Sequence, residues 1–129
     1  MNTRQIKVLV VDDESDFRQL MTFWLESKGY LILSAADGET GIKLAKENNP
    51  DIIFMDLRMP NMDGAETISR IRQFDKDVPI IIISAYTDDP KALAAMSYGI
   101  SGIFYKGKDF TESLSLLEAA LRTHKKLKE

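Results

Sequence analysis

Short apolar runs alternate along this chain with longer segments of helical period, and that alternation restricts the fold more than any other feature. The clearest run is Val78 to Ser84, in which four isoleucines follow Pro79 in succession. Ile6 to Val11 is unbroken except for Lys7 and is rich in Val. A strand with no polar face has to be covered on both sides, as in a parallel sheet sandwiched between helices. The intervening segments supply the helices. Over Ser15 to Lys28 the apolar positions Phe17, Leu20, Met21, Trp24 and Leu25 make one amphipathic stripe, which Gly29 ends.

The same reading extends to the rest of the chain. Tyr30 to Ser34 and Asp51 to Met55 read as the second and third strands, the latter entered through the turn cluster Asn48-Asn49-Pro50. Gly38 to Lys46 reads as a helix, and so does Gly64 to Phe74, with Ile68 and Ile71 inward. Pro90 to Ser97 suits a short helix with Pro in its first turn and Gly99 just past its end. Gly102 to Tyr105 is the fifth strand, and the last helix starts near Asp109 with Phe110, Leu114, Leu117 and Leu121 on one face. Five βα units joined by right-handed crossovers predict an α/β fold: a doubly wound, five-stranded parallel sheet in the flavodoxin-like order 2-1-3-4-5. A length of 129 residues without repeat or linker predicts one domain over residues 1–129.

Composition then removes whole classes of function. A formal charge of -3 creates no basic field, so neither direct nucleic-acid contact nor membrane binding is expected. The apolar runs fall far short of the roughly 18 residues of a membrane span. No secretory leader precedes the first strand, and cysteine is absent. Together these predict a cytoplasmic protein and exclude disulfides, thiolate metal sites and cysteine nucleophiles. His124 is the only histidine, which excludes a multi-histidine metal site within one chain. The one basic cluster, Lys125-Lys126 with Lys128, reads as a solvated helix tail.

In a sheet of this order, ligands bind at the carboxyl ends of the strands. Those ends deliver Asp12, Asp13 and Glu14 from strand one, Asp56 from strand three, Ser84 from strand four and Lys106 from strand five. Strands one and three are neighbours, so Asp12 and Asp13 approach Asp56. Carboxylates about 5 Å apart repel by about 3 kcal/mol per pair at an effective dielectric near 20, unless protonated, paired or neutralised. Oxygen ligands alone favour Mg²⁺ or Mn²⁺ over zinc. A metal, an ammonium and a hydroxyl around one carboxylate would cradle a phosphoryl group. Each residue also has a plainer role: Asp12-Asp13-Glu14-Ser15 as a helix cap, Lys106 as a solvated lysine, Met55, Met59 and Met62 as gap fillers. Joint placement at one sheet edge favours the chemical role.

Over essentially its whole length the chain resembles the receiver domains of bacterial two-component response regulators. The matching segments are V-L-V-V-D-D-E-S from Val8, D-I-I-F-M-D-L-R-M-P-N-M-D-G from Asp51, I-I-I-I-S-A from Ile80 and G-I-S-G-I-F-Y-K from Gly99. The resemblance implies that Asp56 is the phosphoacceptor and that Asp13 ligates Mg²⁺ directly, with Asp12 acting mainly through water. It implies that the Arg58 carbonyl completes the protein ligands and that Ser84 and Lys106 contact the phosphoryl oxygens. The implied donor is a phosphohistidine on a sensor histidine kinase or a histidine phosphotransfer protein, with small acyl phosphates as substitutes. The implied output is a downstream protein or domain reached through the face of helix four, strand five and helix five, here including Lys91, Tyr98 and Tyr105. The domain would catalyse only its own phosphorylation and dephosphorylation.

Two departures from the family pattern stand out. Gly107 follows the lysine where proline is usual, which predicts a looser or differently turned loop from Lys106 to Asp109. Ile103 occupies the position of the switch aromatic, while Phe104 and Tyr105 are shifted, which leaves Ser84 and the loop after it to carry activation. Arg58 and Tyr86, two residues beyond Asp56 and Ser84, are large enough to obstruct an attacking water and predict slow self-dephosphorylation, against a plainer role as surface side chains. A haloacid-dehalogenase-type phosphatase would need a second acid where Arg58 stands. A flavin or nucleotide binder would need a Gly- or Ser/Thr-rich loop where Asp12-Asp13-Glu14 stands. A degenerate receiver would lack part of the acceptor, acid pair, hydroxyl and lysine. The tail from Ala119 to Glu129 is helical in composition, and the chain reads as a stand-alone receiver or as a fragment whose last helix continues into a linker.

Overall fold

In the computed structural model, which describes residues 5–124, the strands are Lys7–Val11 (β1), Leu31–Ala35 (β2), Ile52–Asp56 (β3), Ile80–Ser84 (β4) and Gly102–Tyr105 (β5). The helices are Ser15–Ser27 (α1), Gly38–Asn48 (α2), Gly64–Ile71 (α3), Lys91–Met96 (α4) and Phe110–Thr123 (α5). All strand pairings are parallel and the order is β2-β1-β3-β4-β5, as the alternation predicts. The lysine tail at 125–128 and the end of the helical tail lie outside the described residues.

The central strands divide their side chains between two cores, because successive residues point to opposite faces. Leu9, Val11, Ile53, Met55, Ile80 and Ile82 face α2, α3 and α4, packing on Ala45, Ile68, Ile71 and Ala95. Val8, Val10, Ile52, Phe54, Ile81 and Ile83 face α1 and α5, packing on Met21, Leu25, Leu117 and Leu121. Every residue of β3 and β4 is buried, which explains why neither sequence carries a polar alternation. Truncating one of these isoleucines to alanine costs about 2–5 kcal/mol. Among the described residues no helix is long and apolar enough to cross a membrane.

The element bounds differ from the periodicity in instructive places. α3 stops at Ile71 rather than Phe74, because the amides of Gln73 and Phe74 bond three residues back in a tightened turn. β4 begins after Pro79, which has no N–H to give to a ladder, while the Asp75 carboxylate takes the amides of Asp77 and Val78. β3 runs to Asp56 itself, whose register partner is Ile83. Leu20 is 59% exposed, so it leaves the predicted stripe of α1, and Met21 and Leu25 carry the burial.

Candidate functional site

Four strand ends converge at one edge of the sheet. β1 ends one residue before Asp12, and β3 and β4 end at Asp56 and Ser84. Lys106 follows β5, tied back by its amide to the Ser84 carbonyl at 2.8 Å. Carboxylate oxygens of Asp12, Asp13 and Asp56 all lie within 4.8 Å of one another. Asp12 and Asp56 are buried and Asp13 is exposed. The three carboxylates thus form one cluster, open to solvent on the Asp13 side. Asp13 and Asp56 line a cavity of about 310 Å³ together with Glu14, Arg58, Ser84, Tyr86, Asp89 and Lys106.

Lys106 is the cation of this cluster. Its Nζ is 3.1 Å from Asp12 Oδ2 and 3.7 Å from Asp56 Oδ2, and it also pairs with Glu14. The ammonium stands 4.8 Å from the centroid of the Phe17 ring, within cation–π range. Phe17 is itself fixed by Phe110 at 5.8 Å and Phe104 at 6.4 Å. The side chain is only 15% exposed, so the plainer reading of a solvated lysine is excluded. Burial opposes its charge, but the bond to Glu14 and the charges of Asp56 and Asp12 outweigh it and hold the pKa above lysine's ordinary value.

The carboxylates feel the opposite pressure. Burial first, and then the charge of Asp12, push Asp56 up to about 8 despite Lys106. Burial also raises Asp12, against the Glu14 amide and Lys106. Among the described residues Asp12 Oδ2 accepts no hydrogen bond, although Lys106 sits beside it out of alignment. Crowded oxygens, one of them buried without a hydrogen bond, are the donor set expected for a hard divalent cation. A cap for α1 does not account for them: Glu14 is the N-cap and its side chain makes no capping bond.

Other residues are placed less as the sequence implies. Ser84 Oγ donates to the Tyr86 carbonyl at 2.7 Å and lies 3.2 Å from the Tyr86 amide, so its hydroxyl is engaged inside its own loop. Gly107 has φ +92° in a turn closed by the Lys108 amide on the Tyr105 carbonyl at 3.2 Å, a defined turn rather than a loose loop. Ile103 packs against the α2–α4 core, while Phe104 is buried on the α1–α5 side. Lys91, at the start of α4, bonds to Asp63, the N-cap of α3, at 2.8 Å.

Sequence reasoning missed three partners: Glu14 and Phe17 for Lys106, and Asp89 for Arg58. Glu14 stands beside the acid pair and was legible as a neighbour. Nothing in Asp88-Asp89-Pro90 signals that Asp89 grips Arg58 from the opposite loop.

Comparison with known proteins agrees with this fold. The family model of the response regulator receiver domain matches residues 8–118. The chain is 33% identical over 116 residues to the transcriptional regulatory protein PrrA of Mycobacterium tuberculosis, covering 90% of this chain and 50% of PrrA. It is 35% identical to the response regulator ArlR of Staphylococcus saprophyticus, over 90% of this chain and 52% of ArlR. The chain therefore spans about half the length of these relatives. The chemotaxis protein CheY4 of Vibrio cholerae superposes with a TM-score of 0.86 at 30% identity, covering 92% of this chain and all of CheY4.

Proposed function

Because the chain belongs to the response regulator receiver domain family of two-component systems, we propose that it accepts a phosphoryl group on Asp56. The observation that carries this reading is the convergence of three carboxylates within 4.8 Å beside an ammonium 3.7 Å from the acceptor. The donor is a phosphohistidine of a sensor histidine kinase or histidine phosphotransfer protein. Asp56 Oδ attacks phosphorus as the P–N bond breaks, and the electron pair leaves on the imidazole nitrogen, which takes a proton from solvent. Lys106 pairs with the incoming anionic oxygens, and Ser84 turns its hydroxyl from the Tyr86 carbonyl to a phosphoryl oxygen.

Asp12, Asp13, Asp56 and the Arg58 carbonyl would hold Mg²⁺, or Mn²⁺ in its place. The ion would offset the excess negative charge and stabilise charge on the equatorial oxygens. With that charge offset, Asp56 reacts as a carboxylate at neutral pH. The rest is positioning and electrostatics, as for phosphoryl transfer generally. No separate substrate is turned over: the domain acts on its own phosphorylation and dephosphorylation. The haloacid-dehalogenase alternative lacks its second acid, since the side chain two residues beyond Asp56 is a guanidinium bound to Asp89.

The output we propose runs through the α4–β5–α5 side to a partner protein or an output domain. Leu93 is 73% exposed there, and Met96 and Tyr98 are also exposed, which leaves apolar surface for a partner. Residues 1–129 act as one receiver unit in this reading, within a cytoplasmic signalling pathway.

The deciding experiment is incubation with acetyl phosphate and Mg²⁺, followed by intact-mass measurement of the wild type and Asp56→Ala. A gain of one phosphoryl group in the wild type alone is expected. An equal gain in Asp56→Ala, or none in either, would overturn the assignment.

A further inference from the structure

Two loops wall the cavity beside Asp56, and one ion pair joins them. Arg58 follows β3, and Asp89 immediately precedes Pro90 and α4. Arg58 Nε donates to Asp89 Oδ2 and Nη2 donates to Oδ1, both at 2.8 Å, in a two-pronged pair. The partners differ sharply in exposure: the Arg58 side chain is 50% exposed and that of Asp89 only 2%. Asp89 Oδ1 also accepts the backbone amide of Lys91, the first residue of α4, at 3.0 Å. The Lys91 ammonium is engaged with Asp63. Among the described residues, Arg58 is therefore the one cation bonded to this buried carboxylate.

We propose that Arg58 is a further phosphoryl-binding residue, held ready by Asp89, and that its transfer to phosphorylated Asp56 releases the first turn of α4. The inference rests on the phosphoacceptor reading of Asp56.

A phosphoryl group brings a charge of about −1.5 to −2 into a cavity that Arg58 already lines. The guanidinium fork fits phosphate oxygens as well as it fits carboxylate oxygens. Arg58 is half in solvent whereas Asp89 is enclosed, so the arginine is the partner that moves when a phosphoryl group competes for it. A buried carboxylate stripped of its cation is strongly disfavoured and has to reach water or find another counter-ion. Asp89 cannot do so without pulling on the Lys91 amide, and α4 is only six residues long. The loop between them already has to yield, because Ser84 surrenders the Tyr86 carbonyl when it turns to the phosphoryl group. Charge arriving at Asp56 thus reaches α4 through a carboxylate that is bonded to the Arg58 side chain.

The test compares wild type, Asp89→Asn and Arg58→Gln in the full chain, treated with acetyl phosphate and Mg²⁺. Three readouts apply: intact mass, the decay of the phosphorylated form after donor removal, and amide hydrogen exchange across residues 85–96. Phosphorylated wild type should exchange several-fold faster than unphosphorylated protein at the first turn of α4. Asp89→Asn, which leaves no buried charge and keeps an oxygen for the Lys91 amide, should show no rise in exchange on phosphorylation, and its phosphoryl group should last as long as in wild type or longer, because Arg58 is already free. Arg58→Gln, which strips Asp89 of its cation, should show the fast exchange before any phosphorylation and lose its phosphoryl group several-fold sooner. Exchange at α4 that rises on phosphorylation by the same factor in all three proteins would overturn the inference alone, and so would an unchanged lifetime in Arg58→Gln. Failure of the wild type to gain mass would overturn the phosphoacceptor reading and this inference with it.

Discussion

Gly64 lies directly against the backbone of Asp56: a β-carbon at position 64 would overlap the Asp56 carbonyl oxygen and fall 2.9 Å from the Leu57 Cα. The Gly64 amide also donates to the Leu57 carbonyl at 2.8 Å, so α3 begins on the chain that presents the acceptor. The obstacle is main chain and cannot turn aside as a side chain would. Gly64→Ala should therefore cost about 1–3 kcal/mol of stability, the usual range for overpacking. It should also weaken Mg²⁺ binding, since the Arg58 carbonyl sits on the displaced loop. Urea unfolding and a Mg²⁺ titration check the two effects separately. A variant of full stability and unaltered metal affinity would contradict this account.

The proton on Asp56 predicts how stability responds to pH. Without a divalent cation its pKa is about 8, against about 3.9 for an unfolded aspartate. Between these values the folded protein holds a proton that the unfolded chain has released. This contribution is complete below the unfolded value and fades as pH rises towards the folded one. Metal-free protein should accordingly melt at lower temperature as pH rises from about 5 to about 8. Added Mg²⁺ should raise the melting temperature most at the upper end, where fewer protons compete for the carboxylates. Thermal melts in EDTA and in Mg²⁺ measure both, and Asp56→Asn should flatten the metal-free slope. A metal-free melting temperature that climbs through this window would refute the assignment of the proton.

The turn after Lys106 predicts a substitution that fails here. Gly107 has a φ of +92°, which proline, locked near −65°, does not adopt. A β-carbon at position 107 would meet nothing within 4 Å, so the penalty for alanine is backbone strain alone, about 1–2 kcal/mol. Gly107→Pro should cost more than Gly107→Ala and should slow phosphorylation by displacing Lys106. Urea denaturation and the acetyl phosphate reaction rate report these, and a stabilised Gly107→Pro would be the contrary result.

Phe17 should act on the reaction through Lys106. Phe17→Leu keeps an apolar side chain and removes the ring face, a loss of about 0.5–1 kcal/mol that corresponds to a few-fold slower phosphorylation. Phe17→Trp should retain most of the rate. In a Lys106→Met background the Phe17→Leu effect should vanish; an equal slowing there would reduce Phe17 to a packing residue.

The sequence reading went furthest where periodicity and strand ends govern placement. Asp12, Asp56, Ser84 and Lys106 were legible together because a parallel sheet brings all its carboxyl ends to one edge. The fold was legible for the same reason, since wholly apolar strands leave few ways to be covered. Loop geometry was not legible. No local pattern reveals that Asp89 bridges to Arg58 or that Lys91 turns to Asp63, because these pairings depend on how two connections meet above the sheet. The helix stripe misassigned Leu20 because spacing alone does not fix where on the helix surface the core ends.

Trp24 stacks on Phe110 at 5.9 Å, Phe110 meets Phe17, and Phe17 lies beneath Lys106. The chain contains no other tryptophan. Its single indole is therefore separated by two rings from the ammonium at the heart of the pocket, a native fluorophore whose emission offers a label-free view of where that lysine rests.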